Sequence, residues 1–384
     1  MNLTCPSAGT IGPHGTWKVN NQLFWNKYDA LKYASTNGSP DITWNWHDHV
    51  WSNYNKALLG TRSLPELYKE RAQQLRDTYD YLILSYSGGS DSHNILRTFI
   101  DNNIKLDQIF VNWPMSIVNS SKHKPNIYDV TARNLISEWD YTVKPTLDWL
   151  AKEHPVIKIE IGDWMEKVTD SNYNEDGFSK VTGHWNAGAL ARNSNSSKIG
   201  VEQFDKGKKV ATIYGFEKPL VSADRDFKNA YMQFHDFAML IATNVTGTFE
   251  PFYWSPVLPD LAYEMAYQVY LYYKINPQLR EYMWPTWKKI YNFDTVLSVN
   301  NSISKKICYS DTWNWSKFQA GKPIASGLRF DRDYFLYEFE DFKRPVEIWK
   351  YHYDGFYSGI DKKYLNDGGG IRRTLSNSYW LGEL

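Results

Sequence analysis

The chain has 384 residues, 43 basic against 43 acidic side chains and 42% hydrophobic content. It is long enough to bury a full core, and it carries no global field that would recruit nucleic acid or an anionic membrane. Only Cys5 and Cys308 occur, which excludes a C-x-x-C pair, a zinc knuckle or an iron–sulfur cage within the chain.

The first residues, MNLTCPSAGTIGPHG, show neither the basic start nor the apolar run of a signal peptide, and no stretch of about 18 apolar residues follows. A soluble cytoplasmic protein with no membrane partner is therefore expected. Residues 1–60 are rich in Trp, Asn and Gly with weak periodicity, which predicts an aromatic-rich extension packed on a main domain. Within it, WNWHDHVW holds His47, Asp48 and His49. These residue types ligate metals, but no further ligands accompany them, so local hydrogen bonding is the stronger expectation.

From Thr61 the pattern sharpens. Ser63 is placed to cap a helix, with Pro65 in the first turn and Glu66 at the capping-box position, and that helix should run to about Asp77. Tyr79 to Tyr86 is short and continuously apolar, as befits a central strand of a parallel sheet. Beyond Gly88 and Gly89, the spacing of Ile95, Leu96, Phe99 and Ile100 predicts a helix that Asp101-Asn102-Asn103 stops. Further strands are expected at Gln108–Trp113, Val156–Ile161 and Val210–Tyr214, and helices at Asn126–Glu138 and Pro145–Glu153. Residues 171–209 read as a loop with one short helix near Trp185–Arg192. Past Pro251 a Tyr-rich helix is expected over Pro259–Lys274, within a helical C-terminal module whose tail folds back. The alternation predicts an α/β fold, with an open, mostly parallel sheet and flanking helices over 61–254, between the extension 1–60 and the module 255–384.

The turn SYSGGSDS stands where open α/β sheets place ligands, at the carboxyl end of a strand and the start of a helix. Consecutive glycines let backbone N–H groups approach an anion, and the helix N-terminus adds its positive end, so phosphate is the natural occupant. Ser87, Ser90 and Ser92 offer further donors. Asp91 suits such a site if Mg²⁺ stands between it and the phosphates. Neither G-x-x-x-x-G-K-[ST] nor G-x-G-x-x-G is met.

The residues do match S-G-G-x-D-S, and in this the chain resembles the PP-loop ATP pyrophosphatases, of adenine nucleotide alpha-hydrolase (HUP) type. The resemblance implies that ATP is bound with Mg²⁺ and that a substrate oxygen attacks the α-phosphate, leaving an adenylate and pyrophosphate. It also implies that Ser85, Ser87, Gly88, Gly89, Ser90, Asp91 and Ser92 cradle the β,γ-phosphates, with Asp91 facing the metal. Adenine would lie against the end of the next strand, around Phe110, Val111 and Asn112. Glu217 and Lys218 follow the fourth strand and are placed at the same sheet edge, Lys218 for the phosphates and Glu217 for a metal or an amine; a solvated turn is the equal alternative. Arg192 and Asp224-Arg225-Asp226 are weaker candidates of that kind.

The cysteines help choose a branch. Neither has the setting of a thiolating or sulfate-reducing member, and the chain lacks the N-terminal Cys that follows Met1 in glutamine-hydrolysing members. The expected activity is adenylation of a substrate oxygen followed by transfer to an amine, as in an amidoligase. The aromatic-rich composition and the PP-loop core with unfamiliar ends look similar to phage-encoded, sulfate-reductase-like members, which would suit nucleotide or nucleic-acid modification, though the balanced charge does not itself point to a nucleic acid. Sulfur or sulfate nucleotide chemistry and a non-catalytic ATP-binding role remain the alternatives.

Overall fold

A computed structural model describes residues 15–25, 27–38, 41–113, 115–119, 139–163, 199–215, 218–236, 247–285, 303–309, 359–364 and 373–384. The weakly periodic N-terminal stretch folds into strands β1 (Thr16–Val19) and β2 (Gln22–Phe24), helix α1 (Lys27–Thr36), strand β3 (Ile42–Asn45) and helix α2 (Asp48–Ser52). The strands form an antiparallel sheet in the order β2-β1-β3. Asn20, at φ +55°, makes the tight turn between β1 and β2, a left-handed conformation that Asn tolerates well. Trp17, Trp44, Trp46 and Trp51 are buried, with Trp44 and Trp46 stacked at 6.0 Å. The rings thus do the work of a core.

Next come α3 (Leu64–Thr78), β4 (Tyr81–Ser85), α4 (Ser90–Asp101), β5 (Gln108–Trp113), α5 (Met115–Val118), α6 (Lys144–Glu153) and β6 (Lys158–Asp163). The capping box forms as expected: Ser63 Oγ accepts from Glu66 N, and the Glu66 carboxylate accepts from Ser63 N at 2.9 Å. Strand β6 begins two residues later than the spacing predicts. Val156 is 87% exposed in the preceding turn, and the edge position of β6 leaves its residues exposed or half-buried.

The chain continues through α7 (Val201–Asp205), β7 (Val210–Tyr214), β8 (Leu220–Ala223), β9 (Asn229–Gln233), β10 (Thr248–Pro251), α8 (Pro259–Ile275), β11 (Trp284–Pro285), a short helix α9 over 303–308, and β12 (Tyr379–Glu383). The principal sheet has five strands, all parallel, in the order β10-β7-β4-β5-β6, with helices packed against it. Period-two alternation splits its side chains between two faces. Leu82, Leu84, Ile109, Val111, Ala211 and Ile213 join the large core, while Ile83, Phe110 and Val210 pack with Ile199 in a separate cluster.

Strand order fixes where a ligand can enter. The chain runs outward through β4, β5 and β6, then returns to the other flank of β4 as β7 and continues to β10. The direction of winding reverses between β4 and β7, and such a switch point opens a crevice at the carboxyl ends of the two strands.

In the C-terminal part the described residues include both helix and strand. Helix α8 is present and Tyr263, on it, donates to Trp51 O at 2.6 Å. The tail, however, returns as a strand: β11-β8-β9-β12 form a second sheet, with β12 antiparallel to β9. Its alternation explains why, since Tyr379 and Leu381 are buried while Trp380 points outward. The hairpin β8–β9 also reassigns Asp224-Arg225-Asp226, which lie in its turn. Asp224 accepts from Lys228 N and from Asn229 Nδ2, both at 2.7 Å, so its carboxylate closes the hairpin. Residues Asn126–Glu138 and Trp185–Arg192, Arg192 included, lie outside the described residues. Among those described, no helix is long and apolar enough to cross a membrane.

Candidate functional site

The loop at the switch point is prefolded by its own hydroxyls. Ser87 N donates to Ser92 Oγ at 3.2 Å, Ser92 Oγ donates to Gly89 O at 3.1 Å, and Gly89 N donates to Ser87 Oγ at 3.3 Å. Gly88 sits at φ +74° with Val143 so close that a Cβ would run into it. Only glycine meets both conditions. Ser85 ends β4 opposite Phe110 and Tyr214, and the next residue, Tyr86, donates its N–H to Phe110 O at 2.8 Å.

Gly89 is the N-cap of α4 and brings no side chain to cap it. The first-turn N–H groups of Ser90, Asp91 and Ser92 are those that a helix cannot satisfy internally, and they sit where the macrodipole is positive. Gly215, at the end of β7, packs directly against them: a Cβ there would lie 2.8 Å from Ser92 N. Ser90 is buried, and its Oγ has no hydrogen-bond partner. A glycine-lined cradle over an uncapped helix end, with an orphaned hydroxyl beneath it, fits a phosphate group.

Asp91 is the electrostatic centre of the site. Its Oδ1 accepts from Lys218 Nζ at 2.9 Å and from the Tyr309 hydroxyl, while Lys305 Nζ lies 3.4 Å from Oδ2. Lys218 Nζ also reaches Tyr309 Oη at 3.4 Å and stands 5.0 Å from the centre of its ring. The Asp91 side chain is 17% exposed and that of Lys218 3%. Burial alone would push the Asp91 carboxyl up, but the charges of Lys218 and Lys305 and the bonds from Tyr309 and Lys218 outweigh it. The group is held well below the usual carboxylate range and stays ionised.

A tyrosine cluster closes the far side. Tyr253 donates to Asp91 O at 2.8 Å and accepts from Asn94 Nδ2 at 3.1 Å. Tyr68 donates to Cys308 O at 2.7 Å, which ties α9 to α3. Burial, and then the charge of Asp91, push the phenols of Tyr253 and Tyr309 far above their ordinary value, so both act as donors at neutral pH. His93, whose Nδ1 lies 3.1 Å from Tyr86 Oη, is pushed down to about 4 by burial and by Arg97, and adds no charge.

Of the residues singled out by sequence, the structure brings Ser87, Gly88, Gly89, Ser90, Asp91, Ser92 and Lys218 together, with Ser85 at the root of the loop. Phe110, Val111 and Asn112 lie on the neighbouring β5, whose ladder with β4 ends at Ser85–Phe110 while its ladder with β6 continues to Trp113. The two strands part there. Glu217 lies outside the described residues. His47, Asp48 and His49 are elsewhere: Asp48 accepts from Asn377 Nδ2 and the Tyr379 hydroxyl, both at 2.9 Å, and no metal-ligand cluster is present among the described residues.

The metal expectation meets a different environment. Both oxygens of Asp91 are within reach of ammonium groups, so the carboxylate does not fit a divalent cation bound directly to it. Sequence reasoning missed Lys305, Tyr309 and Tyr253. Tyr253 could have been found as a residue two places beyond the carboxyl end of a sheet strand. Lys305 and Tyr309 share a helix face through their four-residue spacing, but nothing nearby in sequence ties that helix to the sheet. No family model matches the chain, and no curated protein matches it either.

Proposed function

We propose that the chain is an ATP pyrophosphatase of the PP-loop, HUP-type class, which adenylates a substrate oxygen and releases pyrophosphate, then transfers the activated group to an amine. The observation that carries this reading is the uncapped N-terminus of α4 under Gly88 and Gly89 at the β4–β7 switch point, with Lys218 beside it. The β,γ-phosphates would rest on the N–H groups of Ser90, Asp91 and Ser92, and adenine against the end of β5. For a carboxylate substrate, an oxygen attacks the α-phosphorus, the bridging α–β P–O bond breaks, and its electron pair leaves with pyrophosphate. The amine then attacks the acyl carbon, AMP departs, and the amine loses a proton.

The chain's contribution is alignment and charge neutralisation at the leaving pyrophosphate. Lys218 supplies the neutralising charge on the β7 side, and magnesium would arrive as part of the magnesium–ATP substrate. The sulfur-chemistry alternative finds little support in Cys308. Its thiol is buried 3.8 Å from Met265 O, and burial, reinforced by Asp91 and Glu264 against Lys218, pushes it up to about 12.

The test is release of AMP and pyrophosphate from ATP over a panel of carboxylic acids and amines. Sustained pyrophosphate formation that disappears in Lys218→Met supports adenylation. ATP binding without turnover on any acid would favour a non-catalytic nucleotide-binding role, and no ATP binding at all would end the reading.

A further inference from the structure

Asp91 is more open to solvent than the ammonium group it holds: its side chain is 17% exposed and that of Lys218 3%. The charge nearer the solvent at this pair is therefore negative. Resting on the nucleotide reading above, we infer that Asp91 is an internal competitor of pyrophosphate for Lys218 and limits how tightly that product is held. Binding moves the Lys218 ammonium from the carboxylate to a phosphate oxygen, and its return to Asp91 lets pyrophosphate go, a step that sets the turnover of many enzymes.

Lys218 Nζ lies 2.9 Å from Asp91 Oδ1, 3.4 Å from Tyr309 Oη and 5.0 Å from the centre of the Tyr309 ring. Burial and the charge of Asp91 keep that phenol neutral, so among the described residues Asp91 is the anion that Lys218 contacts. A buried ammonium needs an anion, and a phosphate oxygen serves as well as a carboxylate. The glycine loop has the same character. The N–H groups of Ser87 and Gly89 are taken by the hydroxyls of Ser92 and Ser87. Lysine and loop backbone alike have oxygen partners from within the chain, which an incoming phosphate must replace.

A purely positioning role for Asp91 carries the opposite sign. A carboxylate that only held Lys218 in place would cost affinity when removed, because the ammonium would lose its geometry. One that competes raises affinity when removed: the ammonium is released, and a negative charge disappears from beside the helix end on which the phosphates rest. The backbone of Asp91 is held independently of its carboxylate, since Tyr253 donates to Asp91 O at 2.8 Å and accepts from Asn94. The N–H groups of the cradle therefore keep their place when the charge is taken away.

Calorimetric titration of the full chain with inorganic pyrophosphate, ATP and adenosine reads the sign. Asp91→Asn should bind pyrophosphate and ATP about tenfold more tightly than wild type, release pyrophosphate more slowly in stopped flow, and leave adenosine unchanged. In a Lys218→Met background the same substitution should bring a clearly smaller gain, because the ammonium competed for is gone; an equal gain would overturn the competition. Equal or weaker pyrophosphate binding by Asp91→Asn would overturn the inference while leaving the nucleotide reading intact. If neither wild type nor Asp91→Asn binds any of the three ligands, the reading itself falls. A matching gain for adenosine would place the effect elsewhere in the site and also count against the inference. Should Asp91→Asn fail to fold, the wild type decides through the magnetic resonance signal of the Lys218 ammonium, assigned by its loss in Lys218→Met: pyrophosphate must shift it, and an unmoved signal counts against the exchange.

Discussion

Two carboxylates, the buried Asp236 and the half-buried Asp91, each hold a lysine, and they do so in opposite settings. Asp236 is sealed: its side chain and that of Lys27 are 0% and 1% exposed, with Nζ 2.6 Å from Oδ2. Trp17 Nε1 donates to the same oxygen at 2.8 Å and Thr374 N to the other at 2.9 Å. The pair clasps α1 and β1 to the end of β9 and the C-terminal tail. Asp91 stands instead in the first turn of α4, beside a left-handed glycine and with its side chain 17% exposed, and the ammonium groups of Lys218 and Lys305 lie within 3.4 Å of it. A sealed ion pair ties segments of the fold together; Asp91 lies at the carboxyl edge of the sheet, where open α/β sheets place ligands. Exposure and placement separate the two.

The contrast can be broken most forcefully at the clasp. Asp236→Ala leaves Lys27 buried without its counter-charge, and we expect a loss of about 3–5 kcal/mol in urea unfolding, with nucleotide binding intact in whatever remains folded. Gly88→Ala strains a left-handed position and meets Val143; it should cost about 1–3 kcal/mol and abolish ATP binding, so retained binding would refute the cradle. Gly215→Ala presses on the Ser92 N–H group and should lower ATP affinity with a smaller change in the unfolding midpoint.

Acid sharpens the same comparison. The folded Asp91 carboxyl titrates below its ordinary value, so its contribution to stability is present above about pH 4 and is lost as pH falls through the folded value. The stability gap between wild type and Asp91→Asn should therefore narrow from pH 5 toward pH 2, and a constant gap would argue against the ionised cluster. Ser63→Ala, remote from both carboxylates, removes the α3 cap and should cost about 1 kcal/mol with no effect on ATP binding.

The legible parts of the molecule were those in which adjacent residues carry the information. The Ser63–Glu66 box, the buried run at 81–85 and the Gly88-Gly89 turn each express a local rule, and the structure realises them. Lys218 was legible for another reason, because a residue just past a parallel strand must fall on the carboxyl edge. The N-terminal sheet was obscured by its tryptophans, whose bulk fills a core without setting a clear period. Strand β12 and helix α9 are defined by partners far away in the chain, so no local pattern announces that Tyr379 pairs with Met232 or that Lys305 meets Asp91. The second lysine of the site was hidden for that reason.

The return of residues 373–384 also governs how the chain comes to its shape. Tyr379 reaches Asp48 across 331 positions, and Thr374 reaches Asp236 at the clasp. The opening sheet and α2 must therefore wait for residues 373–384 to be synthesised before these partners exist. Contacts of such sequence separation slow the search for the native state. Until that segment arrives, Asp48 and Asp236 lack hydrogen bonds that the finished fold gives them.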